Sequence, residues 1–231
     1  MIFVGGGALL ERAVKFCISQ DLEVELVISN TFFRSSKINT SQKFEFIQSN
    51  DLNISLLKNL ENRTQTKVFS INNNQIIKDS TLSLNHTFFN IHNGLVHDYR
   101  GFGEVCVFAA ICKNERIYGA TIQKLLPKYK VDSGPIVSTR SFKIKDKSNF
   151  FELFQNSLQN CEKLFEENVL KILNNSYDVH ETLVLGQLYL YKDVRKIISQ
   201  TDDSLVRRAM DMRHFEVFLP KLKSSFSEFS D

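Results

Sequence analysis

An amide and an imidazole stand two residues apart in Asn90-Ile91-His92, at the end of a short apolar run that is typical of a β-strand. Side chains two residues apart on a strand project from the same face, so Asn90 and His92 are expected to lie side by side. Asp132 precedes Ser133-Gly134-Pro135, a sharp-turn sequence that can direct a carboxylate back toward strand ends. An amide donor, an imidazole and a carboxylate that converge can act on a reacting carbonyl, by stabilising its oxyanion and moving a proton.

The elements that must position these residues alternate in type over the first 120 residues. Short apolar runs predict strands at 1–4, 22–28, 44–47, 68–71 and 88–91. Between these runs lie either segments with apolar residues at helical spacing or polar breaks. A short helix is predicted over 76–84. Strands separated by helices imply right-handed crossovers, and therefore an α/β fold with a Rossmann-like, mostly parallel sheet flanked by helices. Open sheets of this kind bind ligands at the carboxyl ends of their strands.

The second half of the chain continues this pattern and then breaks into shorter pieces. We predict a buried helix over 104–112, strands at 117–123 and 135–144, and a polar loop at 128–133. A long helix is predicted from Asn149, where Asn149 and Glu152 fit a capping box, to Leu173. A helix over 205–212 and a strand over 215–219 are expected beyond it. The predicted organisation is a catalytic domain over 1–175 and a short C-terminal extension over 176–231.

Composition excludes several classes of protein. The 231 residues carry a formal charge of +3, too weak to bind nucleic acid by bulk charge alone. No apolar run reaches the roughly 18 residues of a membrane span, and the first residues lack a signal-peptide pattern, so a cytoplasmic protein is expected. The four cysteines are scattered in apolar helical contexts, which predicts reduced core thiols and no metal. Twenty phenylalanines and no tryptophan predict a core built largely on phenylalanine.

A run of three glycines, Gly5-Gly6-Gly7, follows the first predicted strand and opens a helix. This placement suits a ligand that approaches a helix N-terminus. The run does not match G-x-G-x-x-G, however, and no acidic residue stands cleanly at the end of the second strand. We therefore interpret it as a tight strand-to-helix turn and predict no dinucleotide site.

Four short motifs follow one another along the chain: Asn90-Ile91-His92, Tyr99-Arg100-Gly101, Gly119-Ala120-Thr121 and Asp132-Ser133-Gly134-Pro135-Ile136. In their order and spacing they resemble the formyltransferases that use N10-formyltetrahydrofolate, whose pattern is N-x-H, Y-R-G, G-x-T and D-x-G-x-I. The members of that family include methionyl-tRNA formyltransferase, glycinamide ribonucleotide transformylase and the sugar N-formyltransferases. Each motif is weak alone, but four in register are specific, and the resemblance covers roughly residues 1–145.

The resemblance implies a formyltransferase fold, N10-formyltetrahydrofolate as co-substrate and no metal. It implies that the catalytic residues are Asn90, His92 and Asp132. The folate is expected to contact the loop before Asp132 and the segment after the fourth strand, at Asn74, Gln75, Ile76, Ile77, Leu126, Lys128 and Val131. The acceptor is expected to contact Lys78, Asn93, Tyr99, Arg100 and Gly101. Lys78 is also compatible with a solvated helix-end lysine, and Arg100 with a sheet-edge salt bridge.

Within that family the chain is most similar to the short sugar N-formyltransferases, through the segments 92–95 and 99–104 and its total length. The expected acceptor is the amino group of a nucleotide-linked 4-amino-4,6-dideoxy sugar. The chain is most similar to the enzymes that formylate such dTDP-linked sugars in O-antigen and lipopolysaccharide synthesis. The resemblance also favours a homodimer. Two departures are visible: Val96-His97 stands where the family often has Leu-Pro, and Gln123 where it often has histidine.

Three other functions compete with this interpretation. Methionyl-tRNA formyl transfer would need a sizeable RNA-binding domain and more positive charge, which about 60 residues beyond the long helix and a net charge of +3 do not provide. Glycinamide ribonucleotide transformylase has a similar length, but the sequence after its N-x-H differs from that after His92. A folate-binding module without activity stays open, although the complete set of Asn90, His92 and Asp132 argues against it.

Overall fold

Seven strands form one sheet in the order β3-β2-β1-β4-β5-β7-β8, and two further strands, β6 and β9, form a second, parallel pair. The computed structural model describes residues 1–31 and 43–226. The strands are β1 (Ile2–Gly5), β2 (Leu26–Ser29), β3 (Glu45–Gln48), β4 (Lys67–Ile71), β5 (Thr87–His92), β6 (Tyr99–Gly101), β7 (Ile117–Leu125), β8 (Ile136–Lys143) and β9 (Gln187–Tyr189). The pairs β1–β2, β1–β4, β2–β3 and β4–β5 are parallel, which confirms the predicted α/β class.

The helices follow the strands as the alternating pattern predicts. They are α1 (Gly7–Ser19), α2 (Leu52–Leu60), α3 (Asp79–Leu82), α4 (Gly103–Cys112), α5 (Phe150–Leu173), α6 (Val194–Ser199), α7 (Asp203–Met210) and α8 (Pro220–Ser224). The predicted cap of the long helix α5 is present, since Asn149 Oδ1 accepts a hydrogen bond from the Glu152 amide at 3.0 Å. Among the described residues, none of the helices combines the length and the apolar character that crossing a membrane requires.

Three predicted elements differ in the structure. The strand predicted over 22–28 is limited to Leu26–Ser29. The strand predicted at 215–219 is wrong, because Arg213–Val217 forms a 3₁₀ helix and Pro220 begins α8 directly afterwards. The helix predicted over 76–84 is reduced to Asp79–Leu82. Asn53 explains the shorter helix, since its Nδ2 donates to the Ile76 carbonyl at 2.9 Å and its Oδ1 accepts from the Lys78 amide at 2.8 Å. Side-chain hydrogen bonds of this kind hold the backbone outside a helix.

The chain divides into two units, which are described separately. Unit 1 comprises Met1–Ile91, Ile122–Ser138 and Glu162–Glu181, and unit 2 comprises His92–Thr121, Thr139–Cys161 and the chain from Thr182. Unit 1 holds the strands β1 to β4, whereas unit 2 holds α4, the β6–β9 pair and the helices α6 to α8. The predicted boundary at 175/176 stays a prediction, and the last five residues of its second segment, 227–231, lie outside the described residues.

Phenylalanine rings fill the core of unit 1, as the composition predicts. Phe69 on β4 stacks on Phe3 at 5.6 Å and on Phe89 at 5.5 Å, measured between ring centroids. Phe165 on α5 meets Phe69 edge to face at 5.4 Å and Phe3 at 5.9 Å. All four rings are fully buried or nearly so. Such pairs add to the stabilisation that burial alone gives, so this cluster attaches α5 firmly to the sheet.

Replacing Phe165 by alanine is expected to destabilise the protein by about 3–5 kcal/mol, because a cavity would open against two buried rings. The free energy of unfolding from urea titration measures this. Phe218→Ala is the control, since Phe218 is 72% exposed and its truncation should cost less than about 0.5 kcal/mol. Equal losses in the two variants would contradict a role for Phe165 in the core.

The core of unit 2 surrounds α4, which is apolar on every side. All residues from Val105 to Cys112 are buried, so this helix is enclosed by other elements as a continuously apolar helix must be. The rings of Tyr99 on β6 and Tyr189 on β9 stack at 5.3 Å beside it. The Tyr99 hydroxyl donates to Glu115 Oε1 at 2.9 Å. The pKa of Tyr99 is raised, mainly because the side chain is buried and also because of that hydrogen bond.

Candidate functional site

Asn90 lies near the carboxyl end of β5, in register with Ser70 of β4. Its side chain is half-buried, and its Nδ2 donates a hydrogen bond to Asp132 Oδ1 at 3.3 Å. Two residues that are 42 positions apart in the chain therefore meet at the strand end. The structure brings together this pair within unit 1, as the turn after Asp132 predicts.

The loop that carries Asp132 is bent sharply back toward the sheet. Asp132 has φ +50°, a left-handed conformation that aspartate tolerates better than most residues. Gly134 is enclosed by the neighbouring strand, since a Cβ on it would lie 1.9 Å from the Lys124 carbonyl oxygen. The Lys124 amide donates to the Pro135 carbonyl at 2.9 Å, and the Ser133 hydroxyl donates to the Lys130 carbonyl at 2.8 Å. These contacts aim the carboxylate of Asp132 at β5.

Gln123 on β7 is a partner of Asp132 that the sequence analysis did not identify as one. Its side chain is fully buried, and its Nε2 donates to the same Asp132 oxygen at 2.8 Å. The Gln123 Oε1 is buried and has no hydrogen-bond partner in the described structure. Asn90 and Gln123 are neutral amides, so they stabilise the charged carboxylate without cancelling its charge. The signal in the sequence was the amide at a position where the resembled family often has histidine.

His92 is the last residue of β5 and the first residue of unit 2. It is 4% exposed, and its Nε2 lies 2.9 Å from the carbonyl oxygen of Tyr99. A carbonyl oxygen can only accept, so Nε2 carries the proton and the neutral ring has its lone pair on Nδ1. Gly94 leaves room for the ring, because a Cβ on it would lie 2.7 Å from His92 Nε2. Thr121 holds that turn, since its hydroxyl donates to the Gly94 carbonyl at 2.8 Å.

The segment after β4 that was predicted to contact the folate is held by side chains of its own unit. Asn74 Oδ1 accepts from Asn30 at 3.0 Å. Gln75 bridges to the start of α2, where its Oε1 accepts from the Leu52 amide at 3.0 Å. Ile77 is buried, whereas Ile76 is 70% exposed. The result is a fixed turn that presents one apolar side chain to solvent.

The second predicted folate segment is the loop between β7 and β8. Leu126 and Val131 are half-buried, and Lys128 is exposed with φ +68°. The Lys128 amide donates to Asp79 Oδ1 at 3.2 Å, so this loop is attached to α3.

The five residues predicted to contact the acceptor are divided between the units. Lys78 is exposed in unit 1, whereas Asn93, Tyr99, Arg100 and Gly101 are in unit 2 and are at least partly buried.

The three glycines form the predicted turn between β1 and α1. Gly5 has φ +141°, and a Cβ on it would lie 1.9 Å from the Ile71 carbonyl oxygen of β4. Asn72 Nδ2 donates to the Gly6 carbonyl at 2.9 Å, and the Gly7 amide donates to Thr31 Oγ1 at 2.9 Å. Close packing of two central strands, together with these side-chain contacts, explains why glycine is needed at this turn.

The four cysteines, Cys17, Cys106, Cys112 and Cys161, are buried and free. Burial raises the pKa of Cys17 and of Cys112 to about 12, so these thiols stay protonated at neutral pH. In residues 1–31 and 43–226, no group of three or more histidine, cysteine, aspartate or glutamate side chains is arranged to hold a metal ion.

Solved structures with the same fold include formyltransferases. An N-formyltransferase from Helicobacter canadensis, in complex with folinic acid and dTDP-3-aminofucose, is 18% identical with a TM-score of 0.71, over 94% of this chain and 81% of that one. WlaRD, a sugar 3N-formyl transferase with dTDP and 5-N-formyl-THF, is 20% identical with a TM-score of 0.71, over 94% and 80%. A 4-N formyltransferase from Francisella tularensis is 19% identical with a TM-score of 0.72, over 90% and 86%.

No family model and no curated protein sequence matches the chain. The likeness to the solved structures therefore establishes the fold, which is the one that the four motifs implied. It extends over nine-tenths or more of this chain.

Proposed function

We propose that the chain is a sugar N-formyltransferase. It transfers the formyl group of N10-formyltetrahydrofolate to the amino group of a nucleotide-linked 4-amino-4,6-dideoxy sugar, with dTDP as the nucleotide. The observation that supports this best is the contact between Asn90 and Asp132 at the end of β5. It occurs in a chain whose fold is shared with proteins solved with folates, dTDP and a dTDP-amino sugar.

Asn90 supplies the hydrogen bond that the tetrahedral intermediate needs. Its Nδ2 carries two N–H groups, and Asp132 Oδ1 accepts only one of them. The second N–H is available to the oxygen of the formyl group, which becomes an oxyanion when the amine attacks. One pre-organised donor of this kind contributes about 3–4 kcal/mol to the transition state.

His92 and Asp132 move the protons. The hydrogen bond to Tyr99 fixes the imidazole so that Nδ1 accepts a proton from the attacking amine. Asp132 accepts hydrogen bonds from two neutral amides, stabilises the positive charge that develops on His92, and passes a proton through water to N10 of the folate. The bond from the formyl carbon to N10 breaks, the bond to the sugar nitrogen forms, and tetrahydrofolate leaves with the transferred proton. The reaction needs no metal and no covalent enzyme intermediate.

The substrates are assigned to segments with different character. The folate contacts are Asn74, Gln75, Ile76, Ile77, Leu126, Lys128 and Val131. The exposed Ile76 suits the flat pterin ring, and the polar backbone of the loop after β7 suits its ring nitrogen atoms. The acceptor contacts are Lys78, Asn93, Tyr99, Arg100 and Gly101, and the Tyr99 carbonyl oxygen also orients His92.

The proposal extends to the setting of the reaction. The product belongs to O-antigen and lipopolysaccharide synthesis, and the enzyme works in the cytoplasm as a homodimer without nucleic acid or membrane partners. The four buried free thiols agree with a reducing compartment.

A direct assay tests the proposal. The purified protein is incubated with N10-formyltetrahydrofolate and a panel of dTDP- and UDP-linked 3-amino and 4-amino sugars, with glycinamide ribonucleotide as a further acceptor. We expect turnover with a dTDP-4-amino-4,6-dideoxy sugar and none in the matched Asn90→Ala variant. Turnover on glycinamide ribonucleotide alone would replace the sugar assignment, and folate binding without turnover on any acceptor would show a non-catalytic folate-binding module.

A further inference from the structure

Arg100 on β6 is a charged side chain that unit 2 buries with two of its three nitrogen atoms unpartnered. It is 7% exposed, and its Nε and Nη1 atoms are buried with no hydrogen-bond partner in the described structure. Charged side chains are almost never buried unless a partner compensates the lost hydration. The guanidinium group cannot lose its proton, so it stays a cation. An anion that is not part of the chain would complete this arrangement.

The backbone next to Arg100 adds a second feature that favours an anion. Helix α4 begins at Gly103, and its N-cap residue, Phe102, makes no side-chain hydrogen bond to the helix. Cys106 lies near the start of α4, and its thiol donates to the Arg100 carbonyl at 3.4 Å. This contact holds the backbone of Arg100 close to the start of the helix. The first amides of a helix point outward, and its dipole favours negative charge there.

Asn93 stands at the same helix start. A Cβ on Gly103 would lie 2.9 Å from the Asn93 Cβ, so the two residues are packed together. The Asn93 Oδ1 is also buried and has no hydrogen-bond partner in residues 1–31 and 43–226. Glu104, in the first turn of α4, carries a negative charge that would repel an anion, and its carboxylate accepts a hydrogen bond from the Tyr191 hydroxyl.

We infer that Arg100 and the start of α4 bind a phosphate group of the nucleotide-linked acceptor, and that Asn93 Oδ1 accepts a hydrogen bond from a hydroxyl of the same molecule. The forked guanidinium matches two phosphate oxygens, which is the geometry that arginine serves best. This inference rests on the proposed function, because that function supplies an acceptor with a diphosphate.

The folate is the other anionic ligand in the proposal, through the carboxylates of its glutamate tail. The folate segments, 74–77 and 126–131, are both in unit 1, whereas Arg100, Asn93 and α4 are in unit 2. Separate binding measurements with the two ligands distinguish them.

The variants Arg100→Met and Arg100→Lys test the inference by calorimetric titration with dTDP, thymidine and folinic acid in phosphate-free buffer. Arg100→Met is expected to weaken dTDP binding by about 30-fold or more, and Arg100→Lys by about 10-fold because the fork is lost but the charge is kept. Thymidine and folinic acid affinities should stay within twofold. Without ligand, Arg100→Met should melt at the same temperature as the wild type or higher, because an uncompensated buried charge is removed.

The control is Arg116→Gln, which removes an exposed arginine of unit 2 that pairs with Asp146, and it should bind all three ligands as the wild type does. Unchanged dTDP affinity in Arg100→Met, or a wild type that does not bind dTDP, would overturn the inference. A lower melting temperature of Arg100→Met would show a structural role instead, and an equal loss for folinic acid would assign the site to the folate. Arg100-dependent dTDP binding without formyl transfer would leave this inference standing and reject the proposed function.

Discussion

Replacing His92 by glutamine is expected to lower kcat for formyl transfer by about 10²–10⁴-fold while the protein stays folded. The amide nitrogen of glutamine reaches the position of His92 Nε2, so it can still donate to the Tyr99 carbonyl that lies 2.9 Å from that atom. Glutamine has no base at the position of Nδ1. The variant therefore removes the proposed proton acceptor and keeps the structural hydrogen bond.

His92→Asn is the matched variant, because the shorter amide reaches the position of Nδ1 and not that of Nε2. We expect it to lose activity as well, and to lose about 1–3 kcal/mol of stability, since the Tyr99 carbonyl is left without the donor at Nε2. Rates are measured under saturating conditions for both substrates, and stability by urea titration. A near-normal kcat in His92→Gln would remove His92 from the chemistry, and equal stability losses in both variants would contradict the assigned tautomer.

Replacing Gly5 by alanine is expected to cost more than about 4 kcal/mol, beyond the ordinary range for a single substitution. Two penalties combine at this position. The backbone has φ +141°, which L-residues rarely adopt, and the new Cβ would lie 1.9 Å from the Ile71 carbonyl oxygen. That oxygen belongs to β4, the partner of β1 in the middle of the sheet, so it cannot move without breaking the strand pair.

Gly6→Ala is the control, because it is the same substitution one residue later. A Cβ on Gly6 would meet only side-chain atoms, Asn30 Oδ1 at 2.5 Å and Thr31 at 3.1 Å, and both side chains can rotate away. Its expected cost is about 1 kcal/mol. The free energies of unfolding of the two variants are compared in urea, and losses of the same size would show that contact with β4 is not what requires glycine at position 5.

The sequence was sufficient wherever a local pattern determines the structure. Period-two spacing placed Asn90 and His92 on one strand, and the Asn149 cap set the start of α5 because both depend on residues that are neighbours in the chain. The prediction of a strand at 215–219 was wrong because it, too, rested on a local pattern alone, and that pattern was ambiguous. A short apolar run fits a strand and a tight helix equally well, and here the Phe218 and Leu219 amides both donate to the Phe215 carbonyl at 2.9 Å, which closes a helical turn.

Features that depend on distant residues were not visible in the sequence. Gln123 stands out in the sequence only as a departure from the resembled family, and its contact with Asp132 appears only when β7 places the amide there. The left-handed backbone of Asp132 lies in the same loop in which Gly134 comes close to the Lys124 carbonyl of β7. The burial of Arg100 could not be predicted from the sequence either, because arginine is normally exposed. Only the folded chain shows that two of its nitrogen atoms are buried and unpartnered.

The amide at position 123 has a consequence for how the candidate site responds to acid. Glutamine neither gains nor loses a proton between weak acid and weak alkali, so the hydrogen bond that it gives to Asp132 keeps its direction over that whole interval. Histidine, which the resembled family often has at this position, would become a cation there as the solution is acidified. In this chain, therefore, acidification does not place a new positive charge beside the Asp132 carboxylate at position 123, as it would in relatives with histidine there.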